Sequence, residues 1–136
     1  MAKQRFDSTQ KPLGRLLLWL DAVICTAVEV ARDRKGQPEG DKASVFLDLL
    51  TEERLVVLAL LADAGDEAMG LTRYLDRESF ETESLADEIA RFLERIRWLF
   101  MDAGCLQTGY TACIVEYLAA TRLVPSHDGG MRMPRP

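Results

Sequence analysis

The chain has 136 residues, of which 48% are hydrophobic and 29% charged, with a formal net charge of −5. These values predict one soluble globular domain with a core of its own. The stretch from Asp41 to Glu88 is strongly acidic, whereas basic residues concentrate towards both ends of the sequence. An acidic centre would repel phosphates, so the charge pattern argues against specific nucleic-acid binding. Solubility is the simplest reason for the acidity, and a basic protein partner or mimicry of nucleic acid is the alternative.

The segments that could direct the chain into or across a membrane are polar or charged. Residues 1–11 lack the apolar region of a secretory signal. The most apolar stretch, Leu13–Val30, is interrupted by Arg15, Asp21 and Glu29, which disfavours a membrane span. The cysteines are odd in number and lie in apolar helical sequence, which is typical of buried free thiols. We therefore expect a cytoplasmic protein that does not associate with membranes.

The first part of the chain predicts a flexible arm followed by a long helix. Residues 1–10 are polar and form the arm. Pro12 suits the first turn of a helix, where a missing N–H costs nothing, and the apolar pattern continues to about Arg34. Leu18 and Trp19 lie outside the main apolar stripe, so this helix needs neighbours on more than one side.

Two helices are predicted in the next part, after the breaker sequence at 36–40. Asp41 is the predicted N-cap of a short helix over 42–50. Thr51, followed by two acidic residues, is a strong start signal for the second helix. Every residue from Leu55 to Ala62 is apolar, which predicts a helix buried on all sides, with a buried strand as the alternative.

The end of that second helix is open, because Gly65 and Gly70 follow the apolar run. The helix stops near Ala64 or continues to Tyr74 or beyond. The acidic stretch from Asp76 to Glu83 is predicted to be a loop.

A later helix, predicted over Leu85–Ala103, carries a large aromatic residue on its charged side. Its apolar stripe follows a 4-3-4-3-4 spacing and consists of Leu85, Ile89, Phe92, Ile96, Leu99 and Ala103. At about 100° per residue, Trp98 lies opposite this stripe, among charged residues. Trp98 therefore needs a second surface to cover it, from this chain or from a partner. Gly104 fits the position just past the helix end.

A last helix is predicted over 107–124, where Pro125 stops it, and the Gly- and Pro-rich residues 126–136 form a disordered tail. The sequence shows no strand pattern. The predicted fold is an all-α compact bundle of four to six helices. Its organisation is a flexible arm at 1–10, one helical domain at 11–125 and the tail.

The sequence has no motif for a catalytic, metal or cofactor site. His127 is the only histidine, which excludes histidine-rich zinc and iron sites, and Ser126, His127 and Asp128 are consecutive, unlike a triad assembled by folding. The spacing of Gly104 and Gly109 resembles a phosphate loop but lacks its lysine. We expect no enzyme activity, metal or cofactor. A carboxylate-dependent enzyme is the lesser alternative.

The residue types that remain unexplained are those that protein interfaces favour. The predicted partner-binding residues are Trp98, Arg91, Arg97, Met101, Glu94, Trp19 and Leu18. They predict a small regulatory protein that binds another protein by helix packing and inhibits or modulates it. An anti-activator or inhibitor, with a transcription regulator as one target, fits this description by analogy of class. A two-fold homodimer is expected, because a single exposed patch can meet its own copy.

A second hypothesis is a small-molecule site between the helices. The residues that would line it are Tyr74, Tyr110, Tyr117, Cys105 and Cys113.

Overall fold

The computed structural model describes residues 3–77, 81–126 and 129–134. In this part of the chain six α-helices form a bundle, which confirms the predicted all-α fold. The helices are α1 (Lys3–Leu18), α2 (Leu20–Asp33), α3 (Pro38–Leu49), α4 (Glu52–Leu75), α5 (Thr82–Phe100) and α6 (Gly109–Ala120). A short 3-10 turn, Gly104–Leu106, connects α5 to α6.

The central element is α4, which packs against α1, α5 and α6, while α2 pairs mainly with α3. Side chains from all the helices except α5 form one buried cluster: Leu17, Leu20, Ile24, Ala31, Leu47, Leu50, Leu55, Ala59, Ala62 and Ile114.

The predicted first helix is in fact two helices that meet at Trp19. Trp19 leaves the helical conformation (φ −107°, ψ 25°), yet its N–H still bonds to Arg15 O and its carbonyl accepts from Val23 N, both at 3.0 Å. The chain therefore bends without unwinding. The two halves have different neighbours, since α1 packs on α4 and α6 and α2 packs on α3. The helix also begins at Lys3, so Pro12 lies inside α1 and does not start it.

The predicted N-cap is wrong for α3 and correct for α4. The N-cap of α3 is Gln37, with Pro38 at the first helical position, so Asp41 lies within the helix and does not cap it. Thr51 caps α4 as predicted, because its hydroxyl accepts a hydrogen bond from Arg54 N at 3.3 Å. The helix then continues to Leu75, which rules out the strand alternative for Leu55–Ala62.

The ends of α5 and α6 lie earlier than predicted. The last residue of α5 is Phe100, and Ala103 adopts a left-handed conformation with φ 57° before the 3-10 turn. The last residue of α6 is Ala120, because Thr121 is extended (φ −132°, ψ 157°).

After α6 the chain forms a two-stranded antiparallel hairpin, which the sequence did not predict. Strand β1 (Thr121–Ser126) pairs with β2 (Gly129–Pro134) in a register that places Thr121 opposite Pro134. His127 and Asp128 lie outside the described residues. The flexibility predicted for 1–10 and 126–136 stays a prediction.

Candidate protein-interaction surfaces

Two large apolar side chains are exposed next to each other where α1 meets α2. Leu18 and Trp19 present 67% and 68% of their surface to solvent, whereas Leu17 and Leu20 on either side are buried. The sequence placed both exposed residues outside the core stripe, and the structure agrees. Residues three apart share a face of a helix, so Leu17 and Leu20 lie on the buried side while Leu18 and Trp19 between them do not.

An apolar groove lies beside these residues, between the α1–α2 junction and α6. Its volume is about 440 Å³. We call it the Trp19 groove. It is lined by Leu17, Leu18, Trp19, Leu20, Asp21, Ala22, Cys113, Ile114 and Tyr117. The Tyr117 hydroxyl donates a hydrogen bond to the Asp21 carboxylate, which joins α6 to α2 at the edge of the groove.

Trp98, the other tryptophan, is partly covered by its own chain. An added Cβ at Gly104 would lie 2.5 Å from Cδ2 of Trp98, so the indole packs directly on the backbone of the 3-10 turn. The guanidinium of Arg95 lies over the ring, 4.5 Å from its centroid, and also pairs with Glu67 at 2.9 Å. The second surface that Trp98 requires is therefore supplied in part by the turn after α5.

The remaining predicted partner-binding residues lie on exposed parts of α5 or, for Met101, directly after its last residue. Arg91 pairs with Glu88 at 3.2 Å, Met101 is 78% exposed, and Arg97 and Glu94 are exposed. The structure places Trp98 against the turn at Gly104 and Trp19 beside α6, so the two tryptophans belong to different surfaces. Their role in partner binding stays a prediction.

One face of α4 contradicts the prediction that Leu55–Ala62 is buried on all sides. Leu55, Ala59 and Ala62 are fully buried, but Val57 and Leu61 are 53% and 57% exposed. The exposed residues belong to a longer row with a 4-3-4-3-4 spacing: Val57, Leu61, Ala64, Ala68, Leu71 and Leu75. This spacing is visible in the sequence once the helix is taken through Gly65 and Gly70, and it is the signal that was missed.

The apolar stripe predicted on α5 is only partly covered. Leu99 is buried, whereas Ile89 is 41% exposed and Leu93, which lies outside the predicted stripe, is 59% exposed. Ile96 and Phe100 are half-buried and continue the row of Ile89 and Leu93 with a 4-3-4 spacing. Ala103 does not contribute, because it lies beyond the helix.

The exposed rows of α4 and α5 lie on the same side of the pair. Arg95 contacts Glu67, and Asp87 and Arg91 line a cavity with Tyr74, so α5 runs antiparallel to α4. Counted from these contacts at about 100° per residue, both rows are turned to one side. We call the following residues the α4–α5 face: Val57, Leu61, Ala64, Ala68, Leu71, Leu75, Ile89, Leu93, Ile96 and Phe100.

A buried carboxylate holds α6 in place. Oδ1 of Asp63 accepts from Tyr110 N at 2.7 Å and Oδ2 accepts from Thr111 N at 2.9 Å, so Asp63 caps α6 from α4. Gly109 has φ +87°, and a Cβ there would collide with Asp63. Both carboxylate oxygens of Asp63 thus serve the fold.

Two neighbours of Asp63 have shifted acidities. Burial, followed by the negative charges of Asp63 and Glu67, raises the pKa of Asp66. Burial, followed by the charges of Asp66 and Asp63, raises the pKa of Tyr110. Both shifts follow from a crowded acidic cluster between α4 and α6.

The residues predicted for a small-molecule site do not share one cavity. Cys113 and Tyr117 line the Trp19 groove, whereas Tyr74 lines a separate polar cavity of about 470 Å³ between α4 and α5. Cys105 is buried as predicted, but Cys25 and Cys113 are exposed, which corrects the prediction that all three thiols are buried.

The described residues offer neither a metal-binding cluster nor a membrane-spanning helix. Across residues 3–77, 81–126 and 129–134, no three His, Cys, Asp or Glu side chains are grouped in a way that could hold a metal ion. No helix in the same ranges combines the length and the apolar character that crossing a bilayer requires.

Comparison of the chain with family models, with curated proteins and with solved structures gave no match.

Proposed function

We propose that this chain is a small non-enzymatic regulatory protein of the cytoplasm that binds another protein through helix packing and inhibits or modulates it. In this proposal the chain is an anti-activator or an inhibitor, with a transcription regulator as one target. We also propose that the chain acts as a homodimer.

The observation that carries the proposal is the exposed pair Leu18 and Trp19 beside an apolar groove. Trp is the residue most enriched at interface hot spots, which lie in well-packed, desolvated pockets. Covering an indole that is 68% exposed would contribute about 3 kcal/mol from apolar area. That figure is larger than the few tenths of a kcal/mol that an exposed ion pair such as Arg91–Glu88 contributes.

The test is to identify the partner and then to measure its affinity for matched variants. Crosslinking and affinity purification from the native host would supply candidates, and each candidate would be purified and titrated against the full chain. Because a truncated hot spot leaves its pocket empty, Trp19→Ser should weaken binding about 10-fold or more. Leu18→Ser should weaken it in the same direction.

Leu106→Ser is the control, since Leu106 is 56% exposed but lies on the 3-10 turn, away from the groove. It should leave the affinity unchanged. A partner that binds Trp19→Ser and the unmodified chain equally well would refute the proposed surface. If the partner instead loses affinity for Trp98→Ala, the Trp98 surface carries the binding.

A small-molecule function has one observation in its favour. The Trp19 groove, with a volume of about 440 Å³, lies within the range of ligand sites and contains Cys113 and Tyr117 from the predicted set. A metabolite that raises the melting temperature saturably in the unmodified chain, but not in Tyr117→Ala, would favour this function. Stabilisation of both proteins alike would place the ligand elsewhere.

A further inference from the structure

We infer that the α4–α5 face is where two copies of this chain pair, as two helical hairpins that together make a four-helix bundle. This inference rests on the homodimer of the proposed function and adds the face that forms it. It does not involve the Trp19 groove, which stays open for a different partner.

The spacing of the face specifies helices as its occupant. The α4 row follows the alternating steps of four and three that place residues along a coiled-coil seam. Side chains spaced in this way pack between those of another helix with the same period. The α5 row has the same steps, so an occupant that presents two helices at once can cover both rows. The hairpin of α4 and α5 is itself such a pair.

The size of the face also favours a second copy. The row from Val57 to Leu75 is about 27 Å long at the rise of an α-helix. Two helices side by side, with axes about 8–10 Å apart, make it about 20 Å wide. Treated as flat rectangles, the faces of two copies would together bury on the order of 1,000 Å². The uneven surface of the side chains adds to this area, which brings it close to the roughly 1,200–2,000 Å² of stable interfaces. A single helix from another protein would cover about half of that width.

The chemistry of the face is that of a homodimer core. Its residues are all uncharged and apolar, and homodimer interfaces are more apolar than interfaces between proteins that also exist separately. Ala64 and Ala68 lie in the middle of the α4 row, where small side chains let two helices approach closely. Nothing on the face requires an opposite charge from its occupant, so the same surface can serve as its own complement.

The test is the mass of the full chain in solution, measured by sedimentation velocity over a wide range of concentration. The unmodified chain should sediment at twice the mass of one copy. Leu61→Arg and Leu93→Arg, which place a charge on the α4 part and the α5 part of the face, should each halve that mass. Because these side chains are exposed in one copy, both variants should keep the helical circular dichroism of the unmodified chain.

Leu106→Arg and Val45→Arg are the controls, with 56% and 59% exposure on elements outside the face, and both should keep the double mass. An unmodified chain that stays at the mass of one copy at all concentrations would overturn the inference. So would double mass in both Leu61→Arg and Leu93→Arg. Neither result would affect the Trp19→Ser comparison, so failure of this face and failure of the target surface are told apart.

Discussion

The two sides of α4 have similar apolar sequences and opposite surroundings. On one side Leu55, Ala59 and Ala62 are fully buried against α1 and α6, and on the other Val57 and Leu61 are more than half exposed. Each residue in this stretch is apolar, so hydropathy does not separate the two sides. What separates them is how many neighbouring helices this chain provides. One side of α4 is therefore used for folding, and the exposed side is the one that we propose for association.

The comparison of Leu55→Ala with Leu61→Ala is expected to show the largest difference in the free energy of unfolding. Leu55 is completely buried, so its truncation leaves a cavity and should lower the free energy of unfolding by about 2–5 kcal/mol. Leu61→Ala should change it by about 0.5 kcal/mol or less when the chain is dilute enough to be monomeric. Urea denaturation followed by circular dichroism measures both.

The same pair also reports on association. At high concentration a dimer stabilises the folded state by mass action, so Leu61→Ala should then lower the melting temperature while Leu55→Ala keeps its large effect throughout. Equal losses for both variants at every concentration would mean that the two sides of α4 do not differ in the way described.

The second effect concerns the capping of α6 by the buried side of α4. Asp63→Ala would leave the N–H groups of Tyr110 and Thr111 without their carboxylate, at a cost of about 2–3 kcal/mol. Asp63→Asn should cost less, because an amide oxygen still accepts one bond. Glu67→Ala is the matched control on α4, since it loses only a partly exposed ion pair. The free energy of unfolding at neutral pH decides between them.

A related variant is Gly109→Ala. The positive φ of Gly109 and the collision of its new Cβ with Asp63 should cost about 1 kcal/mol or more. Gly70→Ala, at a helical glycine whose Cβ would meet no atom within 4 Å, should instead be neutral or slightly stabilising. A destabilising Gly70→Ala would mean that this part of α4 is more crowded than the structure indicates.

The sequence predicted the parts of the fold that depend on short-range signals. The cap at Thr51, the apolar periodicity of α5 and the bundle of helices were recognisable, because each is determined within a few residues. The break at Trp19 was not recognisable. Its neighbours include no proline or nearby break signal, and the bend separates two helices that pack on different parts of the molecule. The β1–β2 hairpin was also missed, because its Gly- and Pro-rich sequence is equally typical of a disordered tail.

The candidate surfaces were predictable to different degrees. Leu18 and Trp19 were correctly placed outside the core stripe by counting residues along the helix. The α4–α5 face was missed, because the unbroken apolar run at Leu55–Ala62 hides any periodicity and the glycines leave the helix end uncertain. The packing of Trp98 on Gly104 follows a left-handed residue, Ala103, whose conformation the sequence does not signal.

A third and smaller effect distinguishes the two tryptophans in the same way as the two sides of α4. Trp98 is half-buried against Gly104, so Trp98→Ala should lower the free energy of unfolding by about 1–2 kcal/mol. Trp19→Ala should change it by less than about 0.5 kcal/mol, since the indole is 68% exposed. Chemical denaturation measures both. A Trp19→Ala variant that unfolds more easily than Trp98→Ala would show that Trp19 belongs to the core.

The smallest effect is expected where the buried side of α4 meets α6. The raised pKa of Asp66 in the folded chain means that its contribution to stability is present at acid pH and is lost as the pH rises through the folded pKa. Asp66→Asn should therefore stabilise the chain slightly at neutral pH and make no difference in acid.

The negative charge of Asp66 also helps to raise the pKa of Tyr110, so the phenol of Tyr110 should titrate at lower pH in this variant. Carbon-13 NMR of labelled tyrosine Cζ, with the Tyr110 signal assigned from Tyr110→Phe, follows that titration. Asp87→Asn is the control, because Asp87 lies on α5 and lines a cavity with Tyr74. If Asp87→Asn shifts the titration of Tyr110 by the same amount, Asp66 is not the cause.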